Sequence, residues 1–534
     1  MTLRVAGVSA LALAGLMTLM PMGHAQETRQ HRNAEASAEN APGMQAGDKD
    51  KDKKDAALPV PDETKVETKH EWTAGARTVH YTATAGTLLI KDEDQKPIGT
   101  MFYVAYTEDG AAPGSRPITF LYNGGPGSAS LWLHMGSVGP VRVVTDSPKA
   151  TGPAPFSVVP NQYSLIDKTD LVFIDAPLTG FSRLVGKGTV KDFAGVDEDV
   201  TAFNKFITRY ITINNRWNSP KFLFGESYGT PRSAALVASL NNDGIEFNGV
   251  VLLSSILNYN VGDPGYDSAA EFYLPSFAAI AWYHDKVPHT GTMKDYEQKV
   301  REFARGPYAT ALEQGDQLPT AEFDSIAQQV AAYTGLSVQY VKDSKLRISA
   351  TRFRKELLRG DEQIMGRYDA RFEAFDEDAA GENPGFDPSD TGISGAFVGA
   401  FHNYLQNDLK YTDSGPYYLQ GPGINQNWDW KHRPSGGGRG FGRGQAMPDT
   451  VIDLGDAMRK NPHLKVFSAN GWFDLATPFF STEHDLAQMM LPPSIASNVQ
   501  FGYYPAGHMV YLNVEALKEF HADLEQWYPT AIAK

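Results

Sequence analysis

Gly225-Glu226-Ser227-Tyr228-Gly229 is the one Gly-x-Ser-x-Gly in this chain. Small residues on both sides of a serine let the backbone turn sharply enough to present the hydroxyl, provided that a strand leads in and a helix leads out. An apolar run at 222–224 and a helical pattern at 231–240 supply that setting. A serine hydroxyl is a weak nucleophile until a base takes its proton and a third group holds the base in one tautomer. Downstream, Asn470-Gly471-Trp472-Phe473-Asp474 follows an apolar run at 464–468, and Pro505-Ala506-Gly507-His508-Met509 follows another at 499–504. Serine, acid and histidine in that order, each just past a strand, point to acyl transfer through Ser227, Asp474 and His508. The rival bases His484 and His521 each fall inside a predicted helix, where a packed or solvated histidine is the commoner fate. Asn123-Gly124-Gly125-Pro126-Gly127 directly follows an apolar run at 118–122, so its N–H groups, with that of Tyr228, are candidate donors to a developing oxyanion.

These residues need a scaffold that gathers loops at one edge. The runs at 118–122, 171–174, 222–224 and 250–253 read as buried strands. Between the second and third, Phe193, Val196, Val200, Phe203, Ile207, Tyr210 and Ile211 fall on one helical face. Strand and helix in alternation predict a mostly parallel sheet with helices on both faces. Two more strands, 464–468 and 499–504, and a closing helix at 514–527 complete it. Ahead of it, 78–84, 87–90 and 101–106 read as antiparallel edge strands. From about 263 to 447 the rhythm is lost. That stretch carries helical patterns and the Gly-rich turn 435–440, and is expected to be a mainly helical cap inserted over the carboxyl ends of the strands. The core is then split into 71–262 and 448–534.

The N-terminus reads as an export signal: Arg4, an apolar stretch at 5–20, and Ala25 as the small residue at the cleavage site. Residues 26–70 hold no Phe, Tyr or Trp and include an Asp/Lys run, so a disordered charged leader is expected, with order beginning near Trp72. Across the 534 residues, 42% hydrophobic and 21% charged composition is enough to fold most of the chain. A net charge of -15 has the wrong sign for binding nucleic acid. With no cysteine there are no disulfides, no thiolate chemistry and no Cys-ligated zinc, and no cofactor or metal is expected. An exported chain of this size without disulfides suits a bacterial periplasm; a secreted or periplasmic protein, free of the membrane after cleavage, is expected.

Taken together, Asn123 to Ser130, Asp175-Ala176-Pro177-Leu178-Thr179-Gly180-Phe181-Ser182, Gly225 to Gly229, Asn470 to Asp474 and Ala506 to Met509 resemble the serine carboxypeptidase family of α/β-hydrolases, in a bacterial-type member. The resemblance implies an α/β-hydrolase fold with Ser227, Asp474 and His508 as the triad and the Gly125 and Tyr228 amides as the oxyanion hole. It also implies that Asn123, the Gly124 amide and Glu226 hold the carboxylate of a peptide's last residue, and that the insertion walls the substrate cleft. Peptide or protein C-termini are then the substrates. Physically, an ionised Glu226 would repel an incoming carboxylate whereas a protonated one donates a hydrogen bond to it, so acidic pH is expected to favour binding. The chain departs from the family pattern at three positions. Ser128 stands where a cysteine is frequent, Leu121 replaces an aromatic residue, and Ser137 aligns with a second glutamate of the carboxylate site. An acyltransferase or esterase on the same scaffold is the alternative enzyme, and a catalytically silent binding protein the alternative outside enzymes.

Overall fold

The computed structural model describes residues 57–112, 114–262, 267–435 and 444–533. The export signal, most of the charged leader and the Gly-rich turn beyond Ser435 lie outside the described residues.

Nine strands build the main sheet: β1 (Lys65–Ala74), β2 (Arg77–Lys91), β3 (Pro97–Glu108), β4 (Ile118–Tyr122), β5 (Asp170–Ile174), β6 (Lys221–Glu226), β7 (Gly249–Leu253), β8 (Lys465–Gly471) and β9 (Val499–Tyr504). Their order is β1-β2-β3-β5-β4-β6-β7-β8-β9, and a short strand at Arg183–Leu184 pairs with β3 off this path. β1, β2 and β3 pair antiparallel, β3 meets β5 antiparallel, and the remaining six strands run parallel.

Alternate side chains of the parallel strands bury on opposite faces, which is why helices cover both. Phe222, Phe224, Phe467 and Leu253 join one cluster with Phe520, Leu524 and Trp527 of α6 (Val514–Ile532). The same face takes Leu133 of α1 (Leu131–Gly136) and Phe397 of α4 (Ser394–Asn407). Leu223, Val250, Leu252 and Val466 point the other way, onto α2 (Val196–Ile213), α3 (Gly229–Asn242) and α5 (Val451–Lys460). Each such buried phenylalanine or leucine contributes about 1.5–3 kcal/mol, so this two-sided burial is what fixes the register. The architecture is the α/β-hydrolase fold.

Two expectations are corrected at the amino-terminal edge. Residues 78–84 and 87–90 are not separate strands but parts of the continuous β2, because its neighbours β1 and β3 pair along it on either side. Order begins ahead of Trp72: β1 starts at Lys65, and Leu58 pairs with Gly186, so residues 57–70 are not a disordered leader. The alternating exposed and half-buried pattern of β1 marks an edge strand with few apolar residues, which gives no apolar run to read.

Between β7 and β8 the chain forms a largely helical region with a core of its own around Phe277, Val300, Tyr308 and Phe353. Phe473 and Leu475, from the loop after β8, and Phe479, at the start of the helix that follows it, belong to that core. One short hairpin, Gln363–Met365 with Glu373–Phe375, interrupts the helices, and its connecting loop touches both loops expected to carry chemistry. Tyr368 C=O accepts from His508 N–H (2.6 Å), and Arg367 C=O accepts from Leu475 N–H (3.0 Å).

Candidate active site

Ser227 sits between β6 and α3 at φ 59°, a left-handed conformation that costs a non-glycine residue about 1–3 kcal/mol. The turn is held from both sides. Ser227 N–H donates to Leu253 C=O of β7 (3.0 Å), and the Thr230 hydroxyl donates to Ser227 C=O (2.7 Å). Holding a half-exposed serine in that conformation is what a nucleophile elbow requires.

Asp474 and His508 meet at the ends of β8 and β9. His508 Nδ1 lies 2.8 Å from Asp474 Oδ2, with both side chains almost fully buried. Asp474 Oδ1 accepts from Ala476 N–H (2.7 Å) and Thr477 N–H (3.0 Å), and Oδ2 also accepts from the Thr477 hydroxyl (2.7 Å). Burial alone would push the pKa of His508 down, but the charge and hydrogen bond of Asp474 outweigh it and the imidazole is raised above its usual value. With Nδ1–H given to Asp474, the lone pair is on Nε2. That nitrogen is buried and has no hydrogen-bond partner among the described residues. The serine–histidine hydrogen bond itself is therefore not made here, which is common before substrate closes such a site. His484 instead pairs with Asp485 (3.4 Å) and packs on Phe272, and His521 sits in α6 beside Tyr163.

Gly124 lies against the elbow so tightly that a Cβ there would fall 2.3 Å from Tyr228 N and 2.5 Å from Gly229 N. The neighbouring Gly125 N–H and the Tyr228 N–H donate to no protein acceptor among the described residues. Asn123 Oδ1 accepts from Leu133 N–H (2.9 Å), which turns the amide's donor end toward Glu226. Asn123 C=O is held by the Arg232 guanidinium (2.7 Å), itself paired in the interior with Asp199.

Glu226, the last residue of β6, is buried, and burial pushes its pKa up to about 7. His508 and hydrogen bonding from Tyr511 and Asn123 oppose that rise, and Asp474 adds to it. A carboxyl of this kind is neutral in mild acid and can donate a hydrogen bond. Asp175, from the second quoted motif, has a packing role: it accepts from Ser130 N–H (2.7 Å) and the Tyr417 hydroxyl (3.1 Å) and ties the loop after β5 to the inserted region.

The structure thus gathers the expected residues around the carboxyl ends of β4, β6, β8 and β9. Three further side chains escaped the sequence reading. Thr477 clamps Asp474, Arg232 props Asn123, and the Tyr511 hydroxyl donates to Glu226 Oε2 (2.8 Å). The one available signal was Arg232, a lone charge in a helix of small and apolar residues.

The serine carboxypeptidase profile matches residues 76–364, more than half of the chain; Asp474 and His508 fall beyond the matched residues. Serine carboxypeptidase-like 45 of Arabidopsis thaliana is 28% identical over 228 residues, covering 40% of this chain and 44% of that protein. Serine carboxypeptidase-like 33 of the same plant is 26% identical over 219 residues, covering 39% and 43%. The matched stretch therefore spans less than half the length of these relatives. Among solved structures, a prohormone-processing carboxypeptidase of Saccharomyces cerevisiae aligns over 84% of this chain and 91% of that one, with 16% identity and a TM-score of 0.49. On the match of more than half its residues to the family profile, following five motifs in order, the chain belongs to the serine carboxypeptidase family.

Proposed function

We propose that the protein is an exported serine carboxypeptidase that removes the last residue of peptides or proteins through an acyl-enzyme on Ser227, with a preference for acidic pH. In this reading His508 Nε2 takes the Ser227 proton as Oγ attacks the scissile carbonyl. The oxyanion is met by the Gly125 and Tyr228 N–H groups. As the tetrahedral intermediate collapses, the imidazolium gives its proton to the leaving amine and the C-terminal amino acid departs; water, deprotonated by His508, then releases the acyl group. The observation that carries the exopeptidase reading is Glu226, a buried carboxyl raised to about 7 and placed next to the serine, alongside Asn123 and Gly124. Arg4, the apolar stretch at 5–20 and Ala25 support export. Among the described residues no helix is long and apolar enough to cross a membrane.

The pH sign follows from Glu226. A substrate carboxylate is ionised above about pH 4, and Glu226 loses its proton as pH rises through about 7. Between those limits a neutral donor meets a charged acceptor; above them two anions repel. KM for a free-acid peptide is expected to climb about tenfold between pH 6 and pH 8.5, and KM for its C-terminal amide much less. Glu226→Gln, which keeps a neutral donor at every pH, is expected to flatten the free-acid profile. Identical profiles for acid and amide would move the esterase alternative ahead.

A further inference from the structure

Tyr511 lies in the short turn Val510–Leu512, three residues beyond His508, and its hydroxyl donates to Glu226 Oε2 at 2.8 Å. Both side chains are buried. The ring lies against the carboxyl end of α1: a Cβ on Gly136 would fall 2.3 Å from Tyr511 Cδ2, so only glycine leaves the ring its place. The next residue, Ser137, commits its hydroxyl proton to Leu133 C=O of its own helix. The phenol is thus the fixed partner of a carboxyl that stands one residue before the nucleophile.

We propose that Tyr511 is the positioning residue of the substrate-carboxylate site: by engaging Glu226 Oε2 it leaves Oε1 to carry the acid proton that the substrate's terminal carboxylate accepts. The inference rests on the carboxypeptidase reading above. A phenol serves this purpose differently from a second carboxyl. Two acids in contact share their protons and titrate as a pair. Tyr511 is a neutral donor at every working pH, since burial and the charge of Glu226 push its own ionisation well above the usual value. The groups acting on Glu226 are His508, Tyr511, Asn123 and Asp474; those acting on Tyr511 are Glu226 and Asn123. One carboxyl therefore governs how the site reads charge. Because the phenol donates to the carboxyl, it favours the ionised form, and removing it raises the pH at which Glu226 loses its proton.

The test is Tyr511→Phe, which keeps the ring against Gly136 and deletes the donor alone. KM for a free-acid peptide at pH 5.5 is expected to rise about tenfold. The fall in kcat should be smaller than that rise, and the effect on the matching amide several-fold smaller. The pH at which the free-acid KM climbs should move upward, and in the Glu226→Gln background the profile should stay flat with or without Tyr511. A second readout needs no substrate: the infrared carboxyl band that disappears in Glu226→Gln should titrate at higher pH in Tyr511→Phe than in the wild type. A wild type that prefers the free acid, with Tyr511→Phe matching it in KM and in both titrations, overturns the proposal alone. Equal handling of acid and amide by the wild type overturns the carboxypeptidase reading, and the proposal with it.

Discussion

Ser227→Ala is expected to lower kcat by a factor on the order of 10⁴–10⁶ while leaving peptide affinity and the melting temperature close to wild type. In the proposed mechanism the hydroxyl is the reacting atom, yet no hydrogen bond of the fold depends on it: the elbow is held by Ser227 N–H and C=O, which alanine retains. Serine and alanine also meet the same strain at φ 59°. A fluorophosphonate, which loses fluoride as Ser Oγ bonds to phosphorus, should label the wild type once, on the peptide containing Ser227, and the variant nowhere. Labelling at another serine, or wild-type turnover by the variant, would remove Ser227 from the mechanism.

Asp474→Asn is expected to cost about 10⁴ in kcat, nearly as much, without unfolding the site. The direction follows from the hydrogen bonds. Oδ1 accepts two backbone N–H groups, from Ala476 and Thr477, so the carbonyl oxygen of an asparagine must take that position. Its NH₂ then lies where Oδ2 was, facing His508 Nδ1. A donor there forces Nδ1 to accept and places the proton on Nε2, the nitrogen that in the proposed mechanism receives the serine's proton. The loss should therefore appear in kcat with little change in affinity. His484→Ala and His521→Ala should be mild by comparison, because those rings are engaged on Phe272 and beside Tyr163. A silent enzyme from His484→Ala would contradict the choice of base.

What the sequence made legible was decided by range. The buried strand β4 matches the run at 118–122 residue for residue, because a strand covered on both faces must be apolar throughout. β9 also matches its run at 499–504, although Gln500 and Phe501 stay exposed on this edge strand. Ser227, Asp474 and His508 could be singled out because each stands just past a strand. The edge was harder: β1 carries few apolar residues, and β2 holds together through pairing with two neighbours rather than through its own pattern. Least legible were contacts between residues far apart in the chain. Tyr511 and Glu226 are 285 residues apart, and nothing near either one announces that the phenol and the carboxyl will meet. The bond exists only once α1, β6 and the turn after β9 are packed together.

The central claim is that this site removes residues from a free carboxyl end. It is tested most directly by incubating the purified wild-type protein and Ser227→Ala with one peptide, as free acid and as C-terminal amide, at pH 5.5, and reading the products by mass spectrometry. The expected result is a ladder of masses shortened one residue at a time from the C-terminus, formed from the free acid much faster than from the amide, and absent with Ser227→Ala. Internal cleavage, or equal rates on acid and amide, would contradict it.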